Sequence, residues 1–316
     1  MDRLFWMRLE NLLQDLTRLY GDNNQNLCFG RGKENKLSVL GNSCLGLEKV
    51  MTEFYIRQEL FERPIYEYGW QGISTSRGYR RLFTLIELIA RTFEEALKGP
   101  SCEVHKSLAK RVKEEDQVFS YNYDLLIDHA LRDEGKLTDE GYELTFNRVN
   151  DEGQWQSPEV NESKVKLLKL HGSLNWIRCS ICGSNLLLRR NKIGRWSTSL
   201  PISCPKCHSK EQYMQRLIVP PLQAKNYADP AISYLWFKAR RALRLAQEIV
   251  IIGYSLPPTD FAAEALLRVG IPHGKRNSIP ISIINPDPKV VERFSQIFNP
   301  QKIVSYPSIE TFFERA

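Results

Sequence analysis

At 316 residues, 42% of them hydrophobic, the chain is long enough for one large domain or two modest ones around a real core. No run approaches the roughly 18 consecutive apolar residues of a membrane helix, and MDRLFWMRLENL carries Asp2 and Glu10 where a signal peptide would be basic and then apolar; a cytoplasmic protein without a membrane partner is expected. The formal charge of +7 suits an anionic partner, either nucleic acid or a phosphate-bearing small molecule, and is too small to choose between them.

Residues 1–116 read as mainly helical. Leu9, Leu12, Leu13, Leu16 and Leu19 share one face, with Gly21 as a stop, and RLFTLIELIARTFEEALKGP repeats the style up to Gly99 and Pro100. The polar stretch GDNNQNLCFGRGKENK between them reads as loop, and its glycines follow no strand and receive no phosphate role.

From Gln117 the texture changes to short apolar runs separated by turns or helical patterns: QVFSYNYD, VKLLKLHG, RLIVPP, EIVIIGYS, ISIINPD and KIVSY. Strands alternating with helices predict an α/β fold, a Rossmann-like parallel sheet with helices on both faces. One helix carries the stripe Leu235, Ala239, Ala242, Leu243 and Ala246; Thr259 or Asp260 can cap FAAEALLRVG; Asp287 and Pro288 open a third as N-cap and first helical residue. The expected layout is a first Rossmann-like segment over 117–176, a metal-binding module over 177–216 and a second Rossmann-like segment over 217–316. Residues 133–165 read as a hairpin or loop excursion beside the sheet.

Cys179, Cys182, Cys204 and Cys207 form C-x2-C-x21-C-x2-C, a spacing that suits tetrahedral zinc in a reducing compartment. Four protein ligands leave no open position for water, so the metal should staple a small lobe and perform no catalysis. His208 is a conceivable substitute ligand, set aside because four cysteines suffice. A nucleic-acid-binding ribbon built on Arg178, Arg189, Arg190, Lys192, Arg195, Lys206 and Lys210 is the rival reading; a surface charge run more often serves solvation, and nucleic acid is not expected as a partner. Cys28, Cys44 and Cys102 read as reduced structural thiols.

In an open parallel sheet the ligand binds beyond the carboxyl ends of the strands. Those ends are consistently polar here: Ser120, Asn122 and Asp124; His171, Gly172 and Ser173; Gly253, Ser255 and the Thr259–Asp260 helix start; Asn285 and Asp287. Each has a local alternative, with Asn122 and Asp124 as turn formers, His171 as a core histidine, Gly253 as a strand terminator and Asp287 as a cap. Together they describe a crevice suited to a ribose- and phosphate-bearing ligand.

These residues resemble the sirtuin family, more closely its prokaryotic SIR2-like branch, over roughly residues 117–316. SYNYD looks like the motif that embraces nicotinamide and its ribose, KLHG resembles the stretch with the catalytic histidine, and the CxxC pairs follow it as the family's zinc lobe does. GYS is similar to the Gly-Thr-Ser motif beside the ribose and phosphates, and Ile284–Asn285 matches the ribose-binding asparagine. The resemblance implies cleavage of the nicotinamide–ribose bond of NAD, with NAD as substrate and zinc as structural metal. Asn122 would position the ribose or a water, Asp124 would hold the carboxamide, and His171 would accept a proton. Ser120, Gly253, Ser255, Asn285 and Asp287 would complete the cofactor site.

Two departures stand out. The family opens with a strand and a Gly-Ala-Gly-x-Ser loop that holds the pyrophosphate at a helix N-terminus, and nothing in residues 1–60 matches it. The expectation is a chain that begins one strand late, either at a misplaced start, the favoured reading, or as a member that has lost phosphate binding. Where deacylases carry Phe-Gly-Glu, this chain has RLIVPPLQAKNY, which favours water as acceptor and an NAD hydrolase of the phage-defence kind. An NAD-dependent deacylase with an acylated protein substrate, and a non-catalytic nucleotide-binding regulator, are the alternatives; a homo-oligomer is left open.

Overall fold

A computed structural model describes residues 102–149, 155–156, 162–188, 203–209, 214–220, 222 and 225–315, together with 29–31, 37–39 and the single positions 51, 86 and 90. The chain divides into two compact units. One comprises Met1–Gly99, Arg148–Gln156 and Leu174–Lys225; the other comprises Pro100–Asn147, Ser157–Ser173 and Asn226–Ala316. The Leu9–Leu19 stripe lies outside the described residues. Of the second expected helix, Ile86 and Ala90 are described and both are helical.

In the first unit, β1 (Phe29–Arg31) pairs antiparallel with β2 (Leu37–Val39), Gly30 facing Ser38. A ladder thus stands in and beside a stretch expected to be loop. A five-stranded sheet follows, in the order β5 (Trp155–Gln156), β4 (Phe146–Val149), β8 (Asn185–Leu187), β7 (Gly172–Cys179) and β9 (Met214–Ile218). β4 and β5 form an antiparallel pair inside the 133–165 excursion, with Val149 opposite Trp155. β9 corrects one expectation: the RLIVPP run belongs to this sheet and adds no strand to the parallel array. β7 is a strand that motif reading passed over. Its residues GSLNWIRC are almost wholly buried, so the histidine stretch runs directly into a second strand. Ile177, Leu186, Leu188 and Met214 make a local core with Cys179 and Cys204.

In the second unit the parallel strands are divided between two sheets. β3 (Gln117–Ser120) pairs with β6 (Lys166–Lys169), Ser120 opposite Lys169; β10 (Ile249–Ile252), β11 (Ile281–Ile284) and β12 (Ile303–Tyr306) form the other, with Ile252, Ile284 and Tyr306 in register. β11 is buried along its whole length, as a strand covered on both faces should be. Parallel pairing needs crossover helices. Among the described helices α1 (Glu103–Arg111), α2 (Leu126–Asp133), α3 (Pro230–Leu245), α4 (Phe261–Gly270), the short α5 (His273–Arg276), α6 (Pro288–Ser295) and α7 (Ile309–Arg315), α2 lies between β3 and β6, α4 and α5 between β10 and β11, and α6 between β11 and β12.

Their ends follow from local chemistry. Asp229 caps α3, its Oδ1 accepting from the amides of Ala231 (2.8 Å) and Ile232, with Pro230 next; Asp287 caps α6 through the Lys289 amide (3.0 Å), with Pro288 at the first turn. At the other end of a helix, the Lys136 ammonium donates to the carbonyls of Ala109, Lys110 and Val112 at 2.6–2.9 Å, satisfying the open carbonyls of α1. α3 buries Ala231, Ile232, Leu235, Ala239 and Leu243, close to the predicted stripe.

One polar network lies inside this unit. Lys169 on β6 is fully buried; its Nζ donates to Asp128 Oδ2 at 2.9 Å and to the Asp124 carbonyl, while Tyr142 donates to Asp128 Oδ1 at 2.6 Å. The ammonium ties the loop after β3 to the end of β6, and burial, with the Asp128 charge, raises the Tyr142 phenol. Removing one partner of a buried pair strands the other charge. Lys169→Met should therefore cost about 3–5 kcal/mol in urea denaturation, and adding Asp128→Asn should recover much of the loss; equal stabilities for wild type and Lys169→Met would contradict this account.

Candidate active site and metal centre

The register of β3 and β6 brings their carboxyl ends level. The Leu170 amide donates to the Ser120 carbonyl at 2.9 Å, and one residue further on His171 Nδ1 lies 3.2 Å from the Tyr121 carbonyl. A carbonyl only accepts, so Nδ1 carries the hydrogen and Nε2 holds the lone pair of the neutral ring. Nε2 faces Asp260 Oδ1 and the Tyr227 hydroxyl, each at 3.5 Å. Asp260 is 2% exposed and accepts from Tyr227 (3.1 Å) and Tyr254 (2.7 Å).

Aromatic rings enclose this centre. Tyr121 meets the imidazole edge-on at 5.2 Å and stacks on Tyr254 at 4.3 Å and 12°, which joins the rims of the two parallel sheets. Tyr227, Tyr123 and Trp236 lie within 6.3 Å of the imidazole, and the Trp236 indole donates to the Leu170 carbonyl at 2.7 Å. His171 is itself 5% exposed. Burial first, and then the Asp260 carboxylate, raises the phenols of Tyr121, Tyr227 and Tyr254, so all three stay protonated donors at neutral pH.

The other expected site residues fall into two groups. Ser120 and Asn122 are linked locally, the Asn122 amide donating to Ser120 Oγ at 3.2 Å; Asn122 is exposed, and Asp124 Oδ1 accepts the Leu126 amide at 2.9 Å at the start of α2. These share the rim of β3 and β6 with His171. On the rim of β10 to β12, Gly253 takes φ +66, a left-handed conformation that glycine supplies without strain, and its amide donates to the Ile284 carbonyl at 2.9 Å. The Ser255 carbonyl accepts from Arg293, which also lies 3.7 Å from Asp287. Asn285 Oδ1 accepts the Asp287 amide at 3.0 Å, and Asn285 lines a groove of about 570 Å³ with Glu292, Ser295, Ser305 and Tyr306. His171, Asn122 and Asp124 do not line that groove.

Sequence reasoning places Asp260 among the strand-end polar residues and offers it, with Thr259, as a cap, but assigns it no site role. It sits at the N-cap of α4, yet its side chain makes no capping bond there and turns to the tyrosines and the imidazole. The aromatic shell was missed as well, although Tyr121, Tyr123 and Tyr254 interleave with the polar residues that drew attention.

In the first unit the four cysteine sulfurs lie within 4.8 Å of one another, with Cys179 and Cys207 at 3.7 Å and Cys182 and Cys204 at 3.4 Å. A zinc tetrahedron with ~2.3 Å bonds has edges of about 3.8 Å, so the set fits that metal. Two matching turns build it. Gly183 and His208 donate their amides to Cys179 and Cys204 at 2.9 Å, the Cys179 and Cys204 amides donate to the Ser184 and Ser209 carbonyls at 2.9 Å, and both turn residues have positive φ, +73 and +56. Burial pushes the Cys204 thiol up to about 12; burial also opposes ionisation of Cys182, but bonds to the Ser184 hydroxyl and amide hold it at about 6. Cys207 Sγ donates to Ser209 Oγ at 3.2 Å, and the same hydroxyl lies 3.1 Å from Cys179 Sγ, so Ser209 sits against two of the four sulfurs. Arg178, one of the basic residues that suggested a nucleic-acid ribbon, donates to Asn185 across the β7–β8 pair at 2.8 Å.

Metal analysis of purified protein should find one zinc per chain, falling well below stoichiometric in Cys204→Ser. His208→Gly should raise the stability of the loaded lobe by about 1 kcal/mol, because a left-handed conformation costs a residue with a side chain roughly that much; unchanged or lower thermal stability would contradict the positive-φ turn.

No curated protein matches this chain. Among solved structures, a Sir2–p53 peptide–NAD+ complex is 18% identical over 72% of this chain and 75% of its own, with a TM-score of 0.38. Sir2Tm bound to a propionylated peptide is 16% identical over 74% and 76%, TM-score 0.40, and Sir2Af2 bound to a myristoylated histone peptide is 16% identical over 70% and 74%, TM-score 0.36. The family model described as SIR2-like domain matches residues 116–267, which span β3, β6, the cysteine module, α3, β10 and most of α4. Over residues 116–267, a little under half of its length, the chain is similar to the SIR2-like domain family.

Proposed function

We propose that the chain binds NAD at the carboxyl ends of its parallel strands and cleaves the nicotinamide–ribose bond, with water as acceptor, as an NAD hydrolase of phage defence. The observation that carries this reading is the imidazole of His171: one ring nitrogen lies against a backbone carbonyl, and the other faces a buried carboxylate at 3.5 Å. That is a general base built into a strand end, the location where open α/β sheets bind ligands.

The chemistry asks little else of the protein. Nicotinamide leaves neutral from a cationic ring, so the site has to orient the dinucleotide and accommodate positive charge growing on the sugar. Asn122, exposed beside the base, would position the ribose or the water, and Asp124, with Oδ1 engaged at the start of α2, would reach the carboxamide through its other oxygen. His171 Nε2 would take a proton from a ribose hydroxyl or from the nucleophile. Gly253, Ser255, Asn285 and Asp287 would serve the far half of the dinucleotide, beside the Asn285 groove. Four tyrosine and tryptophan rings packed around the imidazole favour water over an acyl-lysine chain as acceptor, because water needs the least access.

Incubation of the full chain with NAD, with and without an acylated peptide, tests the reading. The expected result is nicotinamide release without peptide, lowered at least 100-fold in His171→Ala while zinc content stays unchanged. Release that requires the peptide would assign a deacylase instead, and no release in either tube would leave a nucleotide-binding protein.

A further inference from the structure

Asp260 is a carboxylate removed from solvent, and its surroundings are specific. Tyr227 and Tyr254 donate to its two oxygens at 3.1 and 2.7 Å, and Oδ1 lies 3.5 Å from His171 Nε2. Its place at the start of α4 gives it the opportunity of a capping bond, and the side chain makes none. A buried carboxylate that forgoes its local donor is held for something else.

The imidazole has matching needs. Its Nδ1–H is spent on the Tyr121 carbonyl, so any proton it takes up arrives at Nε2. A bare lone pair 3.5 Å from a carboxylate is a poor neighbour electrostatically, whereas a protonated Nε2 there is a good one. Titratable groups facing the ring from the elements packed on it are Tyr121 and Tyr123 after β3, Tyr227 before α3, Tyr254 after β10 and Asp260. Lys169, two residues back on β6, directs its ammonium to Asp128 and the Asp124 carbonyl.

We propose that Asp260 is a positioning residue for His171: clamped by two phenol hydroxyls, it fixes the imidazole and stabilises the imidazolium formed when Nε2 takes up a proton. This deepens the general-base reading and rests on it for its catalytic meaning. Asp260 acts through the histidine and needs no contact with substrate.

The test is the titration of the His171 ring, followed by NMR in the full-length protein without NAD, in wild type, Asp260→Asn and Tyr254→Phe. Asp260→Asn keeps the shape and removes the charge, and should lower the His171 midpoint by about one pH unit or more. Tyr254→Phe removes one anchor and leaves the carboxylate, and should keep the midpoint at or above the wild-type value. In NAD turnover, the acidic limb of kcat/KM for Asp260→Asn should move to lower pH as the midpoint does, with the plateau reduced about 10- to 100-fold because the base is weaker. A midpoint unmoved by Asp260→Asn, or lowered equally by Tyr254→Phe as a packing effect would, overturns the proposal. A shifted midpoint in a protein that does not cleave NAD upholds the pairing and rejects the hydrolase.

Discussion

A carboxylate kept from water has to be surrounded by donors, and the two phenol donors and the imidazole that face Asp260 come from three separate parts of the chain. Tyr227 precedes α3, Tyr254 follows β10 and His171 follows β6. One side chain therefore brings together the ends of strands from both parallel sheets. The Tyr121–Tyr254 stack repeats the connection through ring surface, and the Tyr121 carbonyl completes it at Nδ1. The same contacts that hold the second unit's strand ends together also fix the tautomer and direction of the imidazole. Structure and proton chemistry are here one arrangement.

Beneath that rim, the buried Lys169–Asp128 pair carries out a related task. Its ammonium holds the Asp124 carbonyl, and so the loop bearing Asn122, against the strand that delivers His171 two residues later. His171 follows in the turn directly after β6, so the ammonium organises the loop and the imidazole, two residues on, faces the carboxylate.

Much of this was legible in the chain. Asp229 before Pro230 and Asp287 before Pro288 announce helix starts by the same chemistry that the structure displays, and the four cysteines declare their module through spacing alone, since two tight turns must present paired sulfurs. Less legible were features that depend on which sheet a run joins. RLIVPP has the composition of any buried strand, and nothing local says that it pairs in the sheet of β7 and not beside β10. Asp260 shows the limit most clearly. An aspartate before a helix reads as a cap whichever way its side chain turns, and only the tertiary placement of Tyr227 and Tyr254 reveals that it turns inward. The interleaved tyrosines of SYNYD and GYS were the available signal, because phenols beside strand-end polar groups are both ring surface and donors.

The account's central claim is that His171 Nε2 is the atom that meets the sugar. A crystal structure of the full chain with a non-hydrolysable carbocyclic NAD analogue tests it most directly. The account predicts the nicotinamide-side ring with a hydroxyl about 3 Å from His171 Nε2, Tyr227 shifted aside and Asp260 still facing the imidazole. An analogue seated with that ring remote from His171, or a site that takes up no analogue at millimolar concentration, would contradict it.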